Sequence, residues 1–130
     1  MDRADFQRWL DRYVEAWRSN DPKAVGDLFS EDAGYRWNPW DEPTVGRERI
    51  VQAWTGEPDA PGSWEASYEV VAVDGDVGVA QGRTNYLEGH HGFPGKSYDN
   101  IFVCRFDADG RCREFTEWFM EPRKQAASAG

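Results

Sequence analysis

SYDNIFVCRFDADGRCREFTEWFMEP, residues Ser97 to Pro122, decides the fold. Two β-type runs flank the turn-forming Asp107-Ala108-Asp109-Gly110, so the stretch is expected to be a long antiparallel hairpin. Strand side chains alternate, which puts Asn100, Phe102, Cys104 and Phe106 on one face of the first arm and Ile101, Val103 and Arg105 on the other. In the second arm Phe115, Glu117 and Phe119 share a face, with Thr116, Trp118 and Met120 opposite. Both faces are substantially apolar, whereas a sheet wetted on one side alternates more cleanly. The hairpin is therefore expected to be covered twice, by its own helices and by a second copy of the chain. Glu117 is the anomaly, because a carboxylate between two phenylalanines is a poor core residue unless it is paired or does chemistry.

Before the hairpin lie two more strands, Trp64 to Val73 and Val77 to Glu88, joined by an Asp74-Gly75-Asp76 turn and followed by a glycine-rich loop, expected to be exposed, that holds His90 and His91. The segment Gly56 to Gly62, with its two prolines, cannot continue a helix and separates this strand-rich half from what precedes it. Upstream, Phe6, Trp9, Leu10, Tyr13, Val14 and Trp17 form a single helical stripe. Asp21 and Pro22 can cap and open a second helix through Ala24, Val25, Leu28 and Phe29. A brief strand, Gly34 to Asn38, and a third helix, Arg47 to Trp54, complete the order, and Arg123 to Gly130 is expected to be a frayed tail. Helices followed by strands is the α+β pattern, here a cone of strongly curved antiparallel sheet with three N-terminal helices on its concave side.

The 130 residues suit one domain, 1–130 with a core over 5–122. Aromatics make up 15% with seven Trp, more ring surface than a small core needs, so some should line a cavity or an interface. The net charge of -9 repels phosphate backbones and anionic lipid heads, which disfavours nucleic-acid and membrane partners. No apolar run approaches the ~20 residues of a membrane span, and a cytoplasmic protein is the expected localisation. In that compartment Cys104 and Cys112, on the two arms of the hairpin, are expected as free thiols, with a cross-strand bond the alternative. No metal-ligand spacing surrounds them, and no metal is expected.

The segments "SEDAGYRWNP" (30–39), "VGRERIVQAW" (45–54) and "DNIFVCRFDADGRCREFTEWFMEP" (99–122) resemble the nuclear transport factor two-like superfamily, in particular its SnoaL-like branch, over residues 5 to 122. The G-R-E-x-I start at Gly46 to Ile50 and the F-D-x-D-G-R turn at Phe106 to Arg111 carry the resemblance. It implies a conical α+β fold with a deep pocket, dimerisation through the outer sheet face, and no cofactor. Its members include ketosteroid isomerase, scytalone dehydratase, limonene epoxide hydrolase and polyketide cyclases beside non-catalytic proteins, so fold alone leaves function open. By the resemblance, Tyr13 falls at the isomerase's oxyanion-hole tyrosine, but Phe102 replaces its neighbouring protonated Asp and Trp37 or Asn38 its catalytic base. Arg83-x-Asn85 resembles the Arg-x-Asp element of the epoxide hydrolase, with Glu117 the candidate for its second carboxylate.

The expected site thus has Glu117, Arg83 and Tyr13 as the catalytic group, with Arg83 setting the charge of Glu117. Trp37, Asn38, Trp40, Trp54, Trp64, Tyr68, Gln81, Asn85, Asn100, Phe102, Phe115 and Phe119 are the expected ligand-binding residues. The expected ligand is a neutral or weakly polar organic molecule of ring or polyketide type, bound for a cofactor-free isomerisation, cyclisation, dehydration or hydrolysis. A non-catalytic binding or interaction module is the alternative. A buried Glu117–Arg83 ion pair fixing strand register competes with the catalytic reading of both residues. The expected homodimer uses the outer sheet face, with Gly78, Ala80 and Gly82 flat against Ile101, Val103 and Trp118.

Overall fold

A computed structural model describes residues 1–123. Helix α1 (Arg3–Ser19) is opened by Asp2, whose side chain accepts from the Asp5 backbone N–H while Asp5 returns the bond. Its stripe of Phe6, Trp9, Leu10 and Tyr13 is buried. Helix α2 (Pro22–Gly26) has Asp21 as its cap and Pro22 in its first turn, as the sequence requires, but it is shorter than expected. Phe29 already belongs to strand β1 (Phe29–Arg36), which is longer than expected because its buried positions Phe29, Ala33 and Tyr35 fill the core. A two-residue strand β2 (Thr44–Val45) pairs back on it before α3 (Arg47–Thr55). Then come β3 (Trp64–Asp74), β4 (Val77–Tyr86), β5 (Ser97–Phe106) and β6 (Cys112–Met120). The expected tail lies, beyond Arg123, outside the described residues.

The strands form one sheet in the order β2-β1-β6-β5-β4-β3. The hairpin of β5 and β6 is central and antiparallel, with Phe102 opposite Glu117 and Cys104 opposite Phe115. Three parts of the expected architecture are overturned. The sheet is mixed, because β1 runs parallel to β6, setting Tyr35 beside Phe115. It is also open, with β2 and β3 as edges, so it does not curl into a cone. Nor are the helices all N-terminal, since α3 follows β1 and β2. The return from β1 to the hairpin requires this, because parallel neighbours need a long crossover, here α3 together with β3 and β4.

Face assignment is the fourth correction. Along β4 the residues turned to the helices are Gly78, Ala80, Gly82, Thr84 and Tyr86, while Val79, Gln81, Arg83 and Asn85 face outward, the reverse of the expectation. The reason is steric. A Cβ at Gly78 would meet the Phe6 ring at 2.5 Å, and one at Gly82 would meet the Ser67 carbonyl oxygen at 2.0 Å and the Tyr68 ring at 2.4 Å. The small residues make room for aromatic rings on the inner face and do not flatten the outer one. Ile101, Val103 and Trp118 do face outward, level with Gln81, Val79 and Ile101 respectively. Cys104 and Cys112 are free and buried.

Candidate functional site

Between α1, α3 and the inner sheet face lies a cavity of about 240 Å³. Helix α1 contributes Tyr13 and Trp17, β1 contributes Tyr35 with Trp37 just beyond it, and α3 contributes Ala53 and Trp54. The loop after α3 adds Glu57 and Asp59, the sheet adds Tyr68, Thr84, Tyr86 and Glu117, and the loop before β5 adds Phe93.

Glu117 is mostly buried, and burial pushes its carboxyl up to about 7, opposed by a hydrogen bond from Asn100. Asn100 Nδ2 donates to Glu117 Oε2 at 2.6 Å, and Asn100 Oδ1 accepts from Thr84 Oγ1 at 3.0 Å. With the threonine proton so used, the Tyr68 hydroxyl donates to Thr84 Oγ1 at 2.6 Å. These four side chains on β3, β4, β5 and β6 form one polar thread through an aromatic wall. The thread contains an amide and two hydroxyls but no cation.

Arg83 does not join it. It lies on the opposite face of the sheet, 3.5 Å from Asp99 and largely exposed, so neither the charge-setting role nor the buried ion pair with Glu117 exists. Tyr13 does reach the cavity, where its hydroxyl lies 2.9 Å from that of Tyr35. Both phenols are held well above their ordinary pKa, chiefly by burial, with Tyr35 and Glu117 adding to the rise at Tyr13 and Glu117 to that at Tyr35. The Tyr35 ring stacks on Phe115 at 4.4 Å. Because one hydroxyl of the pair donates to the other, the acceptor keeps its own proton to offer elsewhere.

Of the expected binding residues, Trp37, Trp54 and Tyr68 line the cavity. Asn100, Phe102 and Phe115 are buried on the inner face beside or beneath it. Trp64 is buried behind the wall, stacked on Trp17 at 3.6 Å. Trp40 is 94% exposed, and Asn38 is spent on a turn, accepting from the Trp40 N–H and donating to Asp41. Gln81, Asn85 and Phe119 border a separate groove.

The sequence reading passes over Trp17, Tyr35, Thr84, Tyr86, Glu57, Asp59 and Phe93. Tyr35 was within reach, since two-residue alternation from Ala33 puts it inside. Asp59 was not, because its place depends on His90. That histidine was expected on an exposed loop and is 5% exposed instead. Its Nδ1 accepts from the Gly92 and Phe93 backbone N–H groups at 3.1 and 2.9 Å, so Nε2 carries the proton and donates to Asp59 Oδ1. Trp17 Nε1 donates to the other oxygen of Asp59 at 2.8 Å. His91 is exposed and outside the cavity. Among the described residues no group of three or more His, Cys, Asp or Glu side chains is placed to hold a metal ion.

The family model described as SnoaL-like domain matches residues 10–115. The chain belongs to the SnoaL-like domain family. Among solved structures it is similar to an NTF-2 like protein of unknown function from Burkholderia xenovorans LB400, at 17% identity and a TM-score of 0.71, covering 96% of this chain and 90% of that one. A proposed ketosteroid isomerase from Kribbella flavida DSM 17836 is 14% identical with a TM-score of 0.71, over 96% of this chain and 84% of that one. An NTF2-like protein of unknown function from Mesorhizobium loti is 21% identical with a TM-score of 0.66, over 92% and 95%. These likenesses establish the SnoaL-like fold. No curated protein matches the chain. No helix of the described residues is long and apolar enough to cross a membrane.

Proposed function

We propose that this SnoaL-like protein binds a compact ring-bearing organic molecule in the 240 Å³ cavity and that Glu117 exchanges a proton with it. The observation that carries this reading is a carboxyl at about 7, on the wall of an aromatic cavity, whose hydrogen-bond partner is an amide and not a cation. Near neutrality such a group is populated in both protonation states, which general acid–base catalysis favours. The outward hydroxyl of the Tyr13–Tyr35 pair is the donor for negative charge developing on a ligand oxygen. The reaction is a cofactor-free isomerisation, cyclisation, dehydration or hydrolysis.

The natural ligand is to be sought by mass spectrometry of molecules that copurify with the protein. With a substrate in hand, Glu117→Gln keeps the shape and the acceptor for Asn100 but removes the exchangeable proton. Turnover should fall ~10²-fold or more while affinity changes little. Unchanged turnover eliminates Glu117 as the catalyst, and a bound ligand that is never converted turns the reading to a non-catalytic binder.

The homodimer is part of the same proposal. Val79, Ile101, Val103, Trp118 and Met120 lie on the outer sheet face, with Trp118 43% and Met120 73% exposed. A strip of that character is what an isologous sheet-to-sheet contact buries. A cytoplasmic location fits the two free thiols, and the net charge of -9 argues against nucleic acid and anionic membranes as partners.

A further inference from the structure

The cavity's composition restricts its ligand further than size and greasiness do. Of its thirteen lining residues eight are aromatic and three are carboxylic, and none is Lys, Arg or His. The ring faces present negative quadrupole potential and the acids present negative charge, so walls and mouth have one sign. An anionic ligand is repelled by both. A neutral ring gains area from the aromatics but removes water from Glu57, which makes no ion pair among the described residues, and gives it nothing in return.

The acids are not a loose surface cluster. Asp59 is fixed by Trp17 Nε1 and His90 Nε2, and His90 is itself fixed by the Gly92 and Phe93 backbone, which ties down the Phe93 side of the wall as well. The Tyr86 hydroxyl has its pKa raised by burial and further by both Asp59 and Glu117, so the two carboxyls act on the same ring from the mouth and from the sheet. Glu117 gives one oxygen to Asn100, and it has no buried oxygen without a partner, so the other is left to the cavity. Glu57 is exposed and makes no ion pair among the described residues. Beside the cavity, the Arg18 guanidinium sits 5.9 Å from the centre of the Trp64 ring, which stacks on Trp17, so a cation already lies on this group of indoles from outside.

We propose that the ligand carries a positively charged nitrogen, a protonated amine or quaternary ammonium on or next to a ring, seated at the mouth against Trp17 and Tyr86 and facing Asp59 and Glu57. The proposal rests on the reading of the cavity as a small-molecule site and replaces the neutral ligand expected from sequence. The nitrogen supplies the counter-charge the cavity lacks, while the attached ring fills the aromatic interior toward Glu117.

Two isosteric probes separate the charge inference from the site itself: benzyltrimethylammonium and its uncharged carbon analogue neopentylbenzene. Binding is followed at low ionic strength by the fluorescence of Trp17, Trp37 and Trp54, which line the cavity. The cation should bind about tenfold more tightly than the analogue. Glu57→Gln should weaken the cation roughly fivefold and leave the analogue's affinity unchanged. Glu57 is exposed and makes no ion pair among the described residues, so its variant changes charge without disturbing the wall, whereas an amide at Asp59 would turn a donor toward Trp17 or His90. Equal affinities for the two probes, or a Glu57→Gln variant that weakens both alike, overturn the cationic ligand and leave the small-molecule site standing. Binding of neither probe at millimolar concentration overturns both.

Discussion

Replacing Glu117 by Gln should make the protein more stable at pH 8 and hardly change it at pH 4. Below the ordinary glutamic acid value of 4.5 the carboxyl is protonated in the folded and the unfolded chain alike. Above 4.5 the unfolded chain releases this proton first, while the folded protein holds it until about 7. Because the native state then binds more protons than the unfolded one, stability falls as pH rises through this window and levels off above it. At ~1.4 kcal/mol for each pH unit, a rise from 4.5 to about 7 corresponds to about 3 kcal/mol, the cost of an ionised group among Tyr13, Tyr35, Tyr68 and Tyr86 with only an amide partner. Gln keeps the acceptor for Asn100 and has no proton to lose. Urea unfolding of both proteins at half-unit steps from pH 4.5 to 8.5 isolates the effect, because the other groups cancel in the difference. The variant's advantage should grow from near zero to about 3 kcal/mol, or roughly 10 °C in Tm for a chain of this size. A difference that does not vary with pH refutes the assignment of a raised pKa to Glu117. Greater loss in the variant toward high pH would mean that a cation pairs with the carboxylate.

Gly82→Ala should cost about 1–3 kcal/mol by thermal unfolding, since its Cβ would sit 2.0 Å from the Ser67 carbonyl oxygen; a neutral result would return β4 to the opposite facing. Tyr35→Phe strands the buried Tyr13 hydroxyl and should cost ~1–3 kcal/mol, with the Tyr13→Phe/Tyr35→Phe double variant losing less than the sum of the two singles. Full additivity would show that the two hydroxyls are not coupled. Trp118→Glu should shift sedimentation from dimer to monomer at micromolar concentration and leave probe binding in the cavity intact, because that residue lies on the other face of the sheet. An unchanged sedimentation profile removes the outer face as the interface.

The hairpin, its turn, the capped first two helices and the inward set Asn100, Phe102, Phe115 and Glu117 were legible from period-2 and period-3.6 patterns, because those patterns reflect burial directly. The face of β4 was not. Gly78, Ala80 and Gly82 carry no apolar bulk, and their inward facing depends on rings supplied from α1 and β3, which no local pattern reveals. Arg83 was misplaced by the same inversion and took the expected partner of Glu117 with it. The parallel pairing of β1 with β6 is a contact across most of the chain, and sequence spacing does not encode it. Asp59 and His90 come from two loops thirty-one positions apart, and only the fold brings them together.

The thread from Tyr68 through Thr84 and Asn100 to Glu117 behaves as a proton insulator. A relay needs groups that can accept a proton on one side and release one on the other, and the Asn100 amide does neither at ordinary pH. Glu117 therefore trades protons through its cavity-side oxygen, not through the sheet. A molecule seated over that oxygen shuts solvent away from it, so within the complex the carboxyl trades its proton with the bound molecule alone. The free protein therefore meets its ligand as two rapidly exchanging populations, one acid and one base, in proportions set by the surrounding pH.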